Sequence, residues 1–333
     1  MKDIQFIDID GIKVGHAENM EGITGCTVVL CETGASGGVA VRGGAPGTRE
    51  TDLLNPMEMV QLIHGVVLSG GSAFGLDAAS GVMQYLEEKC IGFDVGVTKV
   101  PIVCQAVLFD LIIGNHKIRP DKNMGYVACK NAENTKCDLQ GNVGAGLGAT
   151  IGKVMGPRNS MKGGLGSAAL QIGDLQVGAI VAVNALGDII DPQSGRIIAG
   201  ALANDKSTFL DTEQLMLKQY SEKINRFNGN TTIGIVVTNA KLTKAESNKV
   251  ASIAHNGFGR TIRPAHTMFD GDTIFTMATN KIESDINVVG FLATRAMEKA
   301  VINAIKNCNS ISGYIAYKDL PHLTSKSAFD NVD

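Results

Sequence analysis

Gly229-Asn230-Thr231-Thr232-Ile233-Gly234-Ile235-Val236-Val237-Thr238-Asn239-Ala240 is a polar turn that runs straight into an apolar, β-branched segment. Residues Thr232–Asn239 are short, apolar and bounded by turn formers, as in a buried strand. A threonine at the head of such a strand is an ordinary β-former, and Gly-Asn-Thr-Thr is an ordinary turn. The chemistry available there is less ordinary. If the Asn230–Thr231 bond were cut, Thr231 would carry a hydroxyl and a free α-amine on one residue. An α-amine has a reference pKa of about 7.7–8.0. It can act as general base for its own hydroxyl, so no histidine is needed.

Similar strand-like runs occur at Cys26–Cys31, Gly38–Val41 and Val177–Asn184. Helical patterns lie among them. Asn55–His64 has Pro56 near its start, where a missing N–H costs nothing. Gly75–Lys89 repeats apolar positions at three and four. Thr243–Gly257 opens on a Thr-x-x-Glu capping box and is expected to end at Asn256-Gly257. Asp285–Asn307 is a long helix with one apolar face. Grouped strands with interspersed helices predict layered α and β structure in one large domain. The polar stretch Ala203–Gly229 reads as a surface helix and loop that separates a glycine-rich front portion from the tail.

Composition narrows the class. Of 333 residues, 40 are glycine, against an average usage of roughly 7%. Eleven lie between Gly34 and Gly81 and nine between Gly141 and Gly166, with no three-residue period, which excludes collagen. A hydrophobic content of 44% and a net charge of only -3 exclude disorder. An aromatic content of 5% with this slight acidity argues against a nucleic-acid-binding surface. The N-terminus lacks a basic region followed by an apolar run, and the apolar stretches near Val100–Gly114 and Val177–Ile190 are interrupted before 18 residues. Neither a signal peptide nor a membrane span is expected. The seven cysteines (26, 31, 90, 104, 129, 137 and 308) include no Cys-x-x-Cys, so reduced thiols in the cytoplasm are expected. The histidines form no His-x-x-x-His pair, so no metal site is expected.

Several blocks carry a resemblance. Val41-Arg-Gly-Gly-Ala-Pro-Gly-Thr-Arg-Glu-Thr-Asp52 and His64-Gly-Val-Val-Leu-Ser-Gly-Gly-Ser-Ala-Phe-Gly-Leu-Asp-Ala78 resemble signature segments of the DmpA-type L-aminopeptidase/D-esterase family, which includes the nylon-oligomer hydrolases and β-aminopeptidases. Gly144–Lys153, Val181–Gly187, Gly229–Thr232 and Phe269–Thr273 extend the match in the same order. The resemblance runs from about Ile12 to Tyr317. It implies a four-layer αββα sandwich similar to that of N-terminal-nucleophile hydrolases, with different strand connectivity. It also implies a single hydrolase domain over 1–333 that cleaves itself at Asn230–Thr231. The products are an α chain of residues 1–230 and a β chain of residues 231–333. A homo-oligomer, tetrameric or larger, is implied as well.

The resemblance assigns roles residue by residue. Thr231 is the nucleophile, which forms an acyl-enzyme and is released by water. Asn184 matches the position that helps hold the oxyanion, where one uncharged donor contributes about 3–4 kcal/mol. Lys153 matches the lysine of the nylon-oligomer hydrolase branch, and partial desolvation would suit it to proton transfer or electrostatics. Asp270 and Asp272, in a pattern that otherwise reads as a hairpin turn, orient the nucleophile's amine and hydroxyl first and move protons second. No calcium-ligand ladder follows them. Near Val103–Leu111 the chain departs from the aminopeptidase branch, where some members carry a tyrosine and the nearest aromatic here is Phe109. With Phe109 there, one hydroxyl donor is missing and substrate preference does not carry over from those members; Thr231, Asn230 and Lys153 place the chain nearer the nylon-oligomer hydrolase type.

The expected function is therefore a self-processing amidohydrolase/aminopeptidase, cofactor-free, that cleaves amide bonds of small peptides or amino-acid oligomers through an acyl-enzyme on Thr231. An acyltransferase of the ornithine acetyltransferase type, which also cleaves itself before a threonine, is the enzyme alternative. The non-enzyme alternative is a glycine-rich anion or nucleotide binder built on Leu68–Gly75. It lacks a Gly-x-x-x-x-Gly-Lys-[Ser/Thr] loop, and GAGLG at Gly144 has no following acidic partner.

Overall fold

The computed structural model describes residues 1–133, 139–221 and 229–320. Ten strands form the main sheet system: β1 (Lys2–Ile4), β2 (Lys13–Asn19), β3 (Thr24–Val41), β4 (Thr48–Arg49), β5 (Leu62–Ser69), β6 (Val103–Val107), β7 (Gly164–Ile172), β8 (Leu175–Asn184), β9 (Thr231–Ala240) and β10 (Thr273–Ile282). The helices are α1 (Ala78–Glu88), α2 (Lys122–Asn131), α3 (Thr212–Ser221), α4 (Lys244–Thr261) and α5 (Ile286–Lys306). Strand order is β1-β7-β8-β9-β10-β3-β5-β6-β4, with β2 also on β3. The pairs β9/β10 and β5/β6 are parallel.

The expected strands Cys26–Cys31 and Gly38–Val41 are two halves of β3. Its first half pairs with β2 and β5, its last residues pair with β10, and the register on β5 shifts between Leu30 and Ala35. This break lets one strand serve two facing sheets. Ile180, Ile233, Ile235 and Phe275 of one sheet pack against Val29, Val66, Leu68 and Cys104 of the other. The alternate residues face outward onto helices. Val177, Val181, Val236 and Ile274 meet α4 and α5, while Val28, Leu30 and Val67 meet α1 and α2. The result is αββα. Because each strand is covered on both sides, its sequence reads as a continuous apolar run instead of an alternating one.

Two expected helices are corrected: one does not form, and one ends later than expected. Asn55–His64 is not helical: turns follow Asn55, and β5 begins at Leu62. Met57 and Met59 are exposed, so a helix there would have had no face to bury. Lys244 Nζ instead donates to the carbonyls of Leu53, Glu58 and Val60 at 2.9, 3.0 and 3.0 Å. The second helix keeps its capping box at Thr243 and Glu246 but runs through Asn256-Gly257 to Thr261. Gly257 serves packing, not termination. A Cβ there would lie 2.8 Å from Met297 Cβ on α5.

The polar stretch contributes α3, in which Thr212 alone is buried. Residues 222–228 of that stretch, and Cys137, lie outside the described residues. The six described cysteines are free thiols. Among the described residues no helix is long and apolar enough to cross a membrane.

Candidate active site

Topology brings three distant segments to one end of a sheet. β8 and β9 are antiparallel, and their register pairs Asn184, the last residue of β8, with Thr231, the first of β9. β9 and β10 are parallel, so their N-termini share that same end. The Asp270-Gly271-Asp272 turn before β10 therefore lies beside Asn230-Thr231, and a parallel bridge joins Asn230 to Asp270. All five side chains assigned a role converge here. Exposure is 5% at Thr231, 0% at Asn184 and 2% at each of Lys153, Asp270 and Asp272.

The Asn230 carbonyl is held from two sides. Gly271 N–H donates to it at 3.1 Å, and the Thr231 hydroxyl also donates to it. The hydroxyl oxygen is thus beside the Asn230 carbonyl, and a backbone N–H donates to the same carbonyl oxygen.

Lys153 opens a short 3-10 turn after Gly152, whose φ of +69° is left-handed. Its Nζ donates to Asn184 Oδ1 at 2.8 Å, to Asn184 O at 2.9 Å and to Gly229 O at 3.5 Å. Burial pushes the amine down to about 7, while the charges of Asp270 and Asp110 act in the opposite direction. Asn184 Oδ1 also accepts the Thr150 N–H at 2.9 Å, and its Nδ2 donates to Phe109 O at 3.0 Å. One amide N–H of Asn184 is therefore committed to Phe109. The Phe109 ring packs on Gly229, where a Cβ would lie 2.6 Å from its Cγ. Phe109 thus belongs to the site through its carbonyl and its ring face, contributing no hydroxyl.

The acids divide their work. Asp270 Oδ2 accepts from the Thr267 hydroxyl at 2.6 Å and the Thr267 N–H at 2.9 Å. Burial, with the neighbouring Asp272 charge, raises its carboxyl to about 6. Asp272 Oδ1 accepts the Thr232 N–H at 2.8 Å. A strap of chain clamps the turn: Arg42 and Gly43 donate N–H bonds to Asp272 O at 2.9 and 3.3 Å, and Ala45 donates to Asp270 O at 2.8 Å. A Cβ on Gly43 would lie 2.2 Å from Asp270 O. Gly43→Ala is therefore expected to displace the strap or the turn and to lower kcat/KM on the order of tenfold or more. A folded variant with unchanged kcat/KM would show that the strap is dispensable.

Sequence reading did not anticipate Gly271 N–H, Thr267, His266 or the Phe109 carbonyl. Gly271 and Thr267 lie within or next to Phe-Asp-Gly-Asp-Thr, so the motif marked the neighbourhood. Backbone donors carry no residue-type signal. Among the described residues, no group of three or more His, Cys, Asp or Glu is placed to hold a metal ion.

A family model described as Peptidase family S58 matches residues 5–317. A Mycobacterium tuberculosis protein described as an uncharacterized aminopeptidase is 39% identical over 345 residues, covering 94% of this chain and 96% of that protein. The 6-aminohexanoate-oligomer endohydrolase of Paenarthrobacter ureafaciens is 31% identical over 316 residues, covering 90% and 85%. Among solved structures, the L-aminopeptidase D-Ala-esterase/amidase of Ochrobactrum anthropi superposes with a TM-score of 0.69 at 17% identity, over 94% of this chain and 91% of that one. A Burkholderia sp. β-aminopeptidase gives a TM-score of 0.68 at 17% identity, over 95% and 90%. At these identities the two structures establish the fold, described for the first as a variant of the N-terminal-nucleophile hydrolase fold.

Proposed function

The chain belongs to peptidase family S58 and is an amide-bond hydrolase, and on that premise we propose that it matures by cutting its own Asn230–Thr231 bond and then uses Thr231 as nucleophile. The observation that carries this reading is the buried Asn230–Thr231 peptide, with the Thr231 hydroxyl and the Gly271 N–H both on the Asn230 carbonyl oxygen.

In the first stage the Thr231 Oγ adds to the Asn230 carbonyl carbon, and Gly271 N–H holds the resulting oxyanion. In its neutral form Lys153 keeps its two N–H bonds on the Asn184 oxygens, gives up the long 3.5 Å contact with the adjoining Gly229 carbonyl, and uses the freed lone pair to accept the hydroxyl proton and return it to the departing nitrogen. The C–N bond breaks and leaves an ester between Asn230 and Thr231. Water hydrolyses the ester, giving an Asn230 carboxylate and a Thr231 with free amine and hydroxyl.

In the second stage that amine takes the hydroxyl proton as Oγ attacks the substrate amide. The amine product leaves, and water releases the acyl group. Asn184 supplies its second amide N–H to the oxyanion, Lys153 and Asp270 set the local charge, and Asp272 aligns the nucleophile's strand through Thr232. A nucleophile only 5% exposed suits thin, flexible substrates, namely small peptides or amino-acid oligomers, over folded proteins. The reading takes the working form as a cytoplasmic homo-oligomer. Free thiols at the described cysteines suit that compartment, and exposed apolar side chains on the single chain, among them Phe74 and Val97, suit association.

An intact-protein mass spectrum tests the proposal. It is expected to show two species corresponding to residues 1–230 and 231–333. A purified, active protein of one uncut mass would refute it.

A further inference from the structure

The turn that carries the two acids also carries a histidine with no assigned role. His266 has a φ of +61°, in the left-handed region. Its backbone N–H and its ring Nδ1 both meet Oδ2 of Asp272, at 3.0 and 2.8 Å. A carboxylate oxygen accepts, so Nδ1 carries the hydrogen and the ring is in that tautomer. The other ring nitrogen, Nε2, is buried and makes no hydrogen bond among the described residues. The polar capacity of this ring is thus directed at one carboxylate oxygen.

The ring is wedged in place. His255 of α4 meets it edge to face, with centroids 4.8 Å apart, and the Phe258 ring lies 6.2 Å away. His255 Nε2 is anchored 2.9 Å from the Ala40 carbonyl, and burial pushes its pKa down to about 4, so it is an uncharged wall near neutral pH. On the far side of Asp272, Oδ1 accepts the N–H of Thr232, the residue after Thr231. One buried carboxylate therefore joins the imidazole to the strand that presents the nucleophile. Two donors on Oδ2 fix the rotation of the carboxylate, and that rotation decides whether Oδ1 reaches Thr232.

We infer that His266 is a positioning residue: it locks the Asp272 carboxylate so that β9 presents the Thr231 hydroxyl, and after cleavage its amine, in the reactive direction. This inference rests on the reading of Thr231 as nucleophile.

The test uses two substitutions that both tolerate a positive φ and differ in their side-chain donor. His266→Asn keeps an N–H₂ near the place of Nδ1, and His266→Gly removes it. Both are assayed on a short peptide amide, with kcat expressed per cleaved chain. His266→Gly is expected to lose about 10²-fold in kcat, the usual scale for a small misplacement of reacting groups, with KM within about twofold. His266→Asn is expected to stay within about tenfold of the wild-type kcat. A glycine variant with wild-type kcat, a loss confined to KM, or an asparagine variant as impaired as the glycine one overturns the inference. If His266→Gly melts below the assay temperature, all the proteins are assayed below its melting midpoint and the same limits decide. Thr231→Ala is run alongside. If that variant hydrolyses the amide, the nucleophile reading itself fails; if it is inactive while His266→Gly keeps full kcat, only the role of His266 fails.

Discussion

Thr231→Ala is expected to give one uncut chain of 333 residues, with peptide hydrolysis lowered on the order of 10⁴-fold or more. The substitution removes only the hydroxyl and a methyl from a site that the surrounding structure already shapes. Asn184 still faces residue 231 across β8 and β9, and Gly271 N–H still meets the Asn230 carbonyl. The fold should survive, and the uncut chain should elute and melt as a single folded species. Thr231→Ser restores a hydroxyl at the same atom and is expected to cleave, although with one methyl fewer to hold its rotamer. Mass spectrometry of the three proteins decides the matter. An alanine variant that is still cut, or is uncut yet fully active, would remove Thr231 from the mechanism.

The second large effect concerns Lys153. Burial lowers its amine to about 7, so the neutral, proton-accepting form dominates above that pH and the ammonium below it. Self-cleavage of a freshly translated chain is expected to accelerate about tenfold per pH unit up to 7 and then to level. Lys153→Met should slow cleavage by about 10²–10⁴-fold and abolish that pH dependence. Lys153→Arg should be equally slow, because a guanidinium keeps its proton throughout. A methionine variant that processes at the wild-type rate would rule out the base role. The lowered pKa also affects stability. Between about 7 and the ordinary value of 10.5, the unfolded chain holds a proton that the folded chain has lost. Stability should therefore gain from this group as pH rises through that window, and Lys153→Met should remove the gain.

The sequence revealed different parts of the molecule to different depths. The strands around Val181, Val236 and Val28 were legible because burial on both faces makes them continuously apolar. The start of α4 was legible because Thr243 and Glu246 satisfy each other's backbone donors locally. The end of α4 was misread, since Gly257 suits a helix terminus by conformation but is used here for contact with Met297. Asn55–His64 was misread because Pro56 and a few apolar residues imitate a helix start. Whether a helix formed depended on a face to bury and on the carbonyls that Lys244 takes, 184 to 191 residues away in the chain.

By itself, the sequence determined the family and the candidate chemistry: a threonine behind a Gly-Asn turn, an asparagine at a strand end, a lysine after a glycine-rich run and a pair of aspartates. Side-chain identity is local, and these residue types limit what the site can do. Only the tertiary structure decided that they meet. Parallel pairing of β9 with β10 and antiparallel pairing of β8 with β9 place the three strand ends together. The structure also supplied what residue type cannot encode: the Gly271 N–H on the Asn230 carbonyl, the Phe109 carbonyl on Asn184 and the His266 ring on Asp272. A backbone donor is the same at almost every residue. Its direction, and the burial that brings Lys153 to about 7, arise only when the chain is packed.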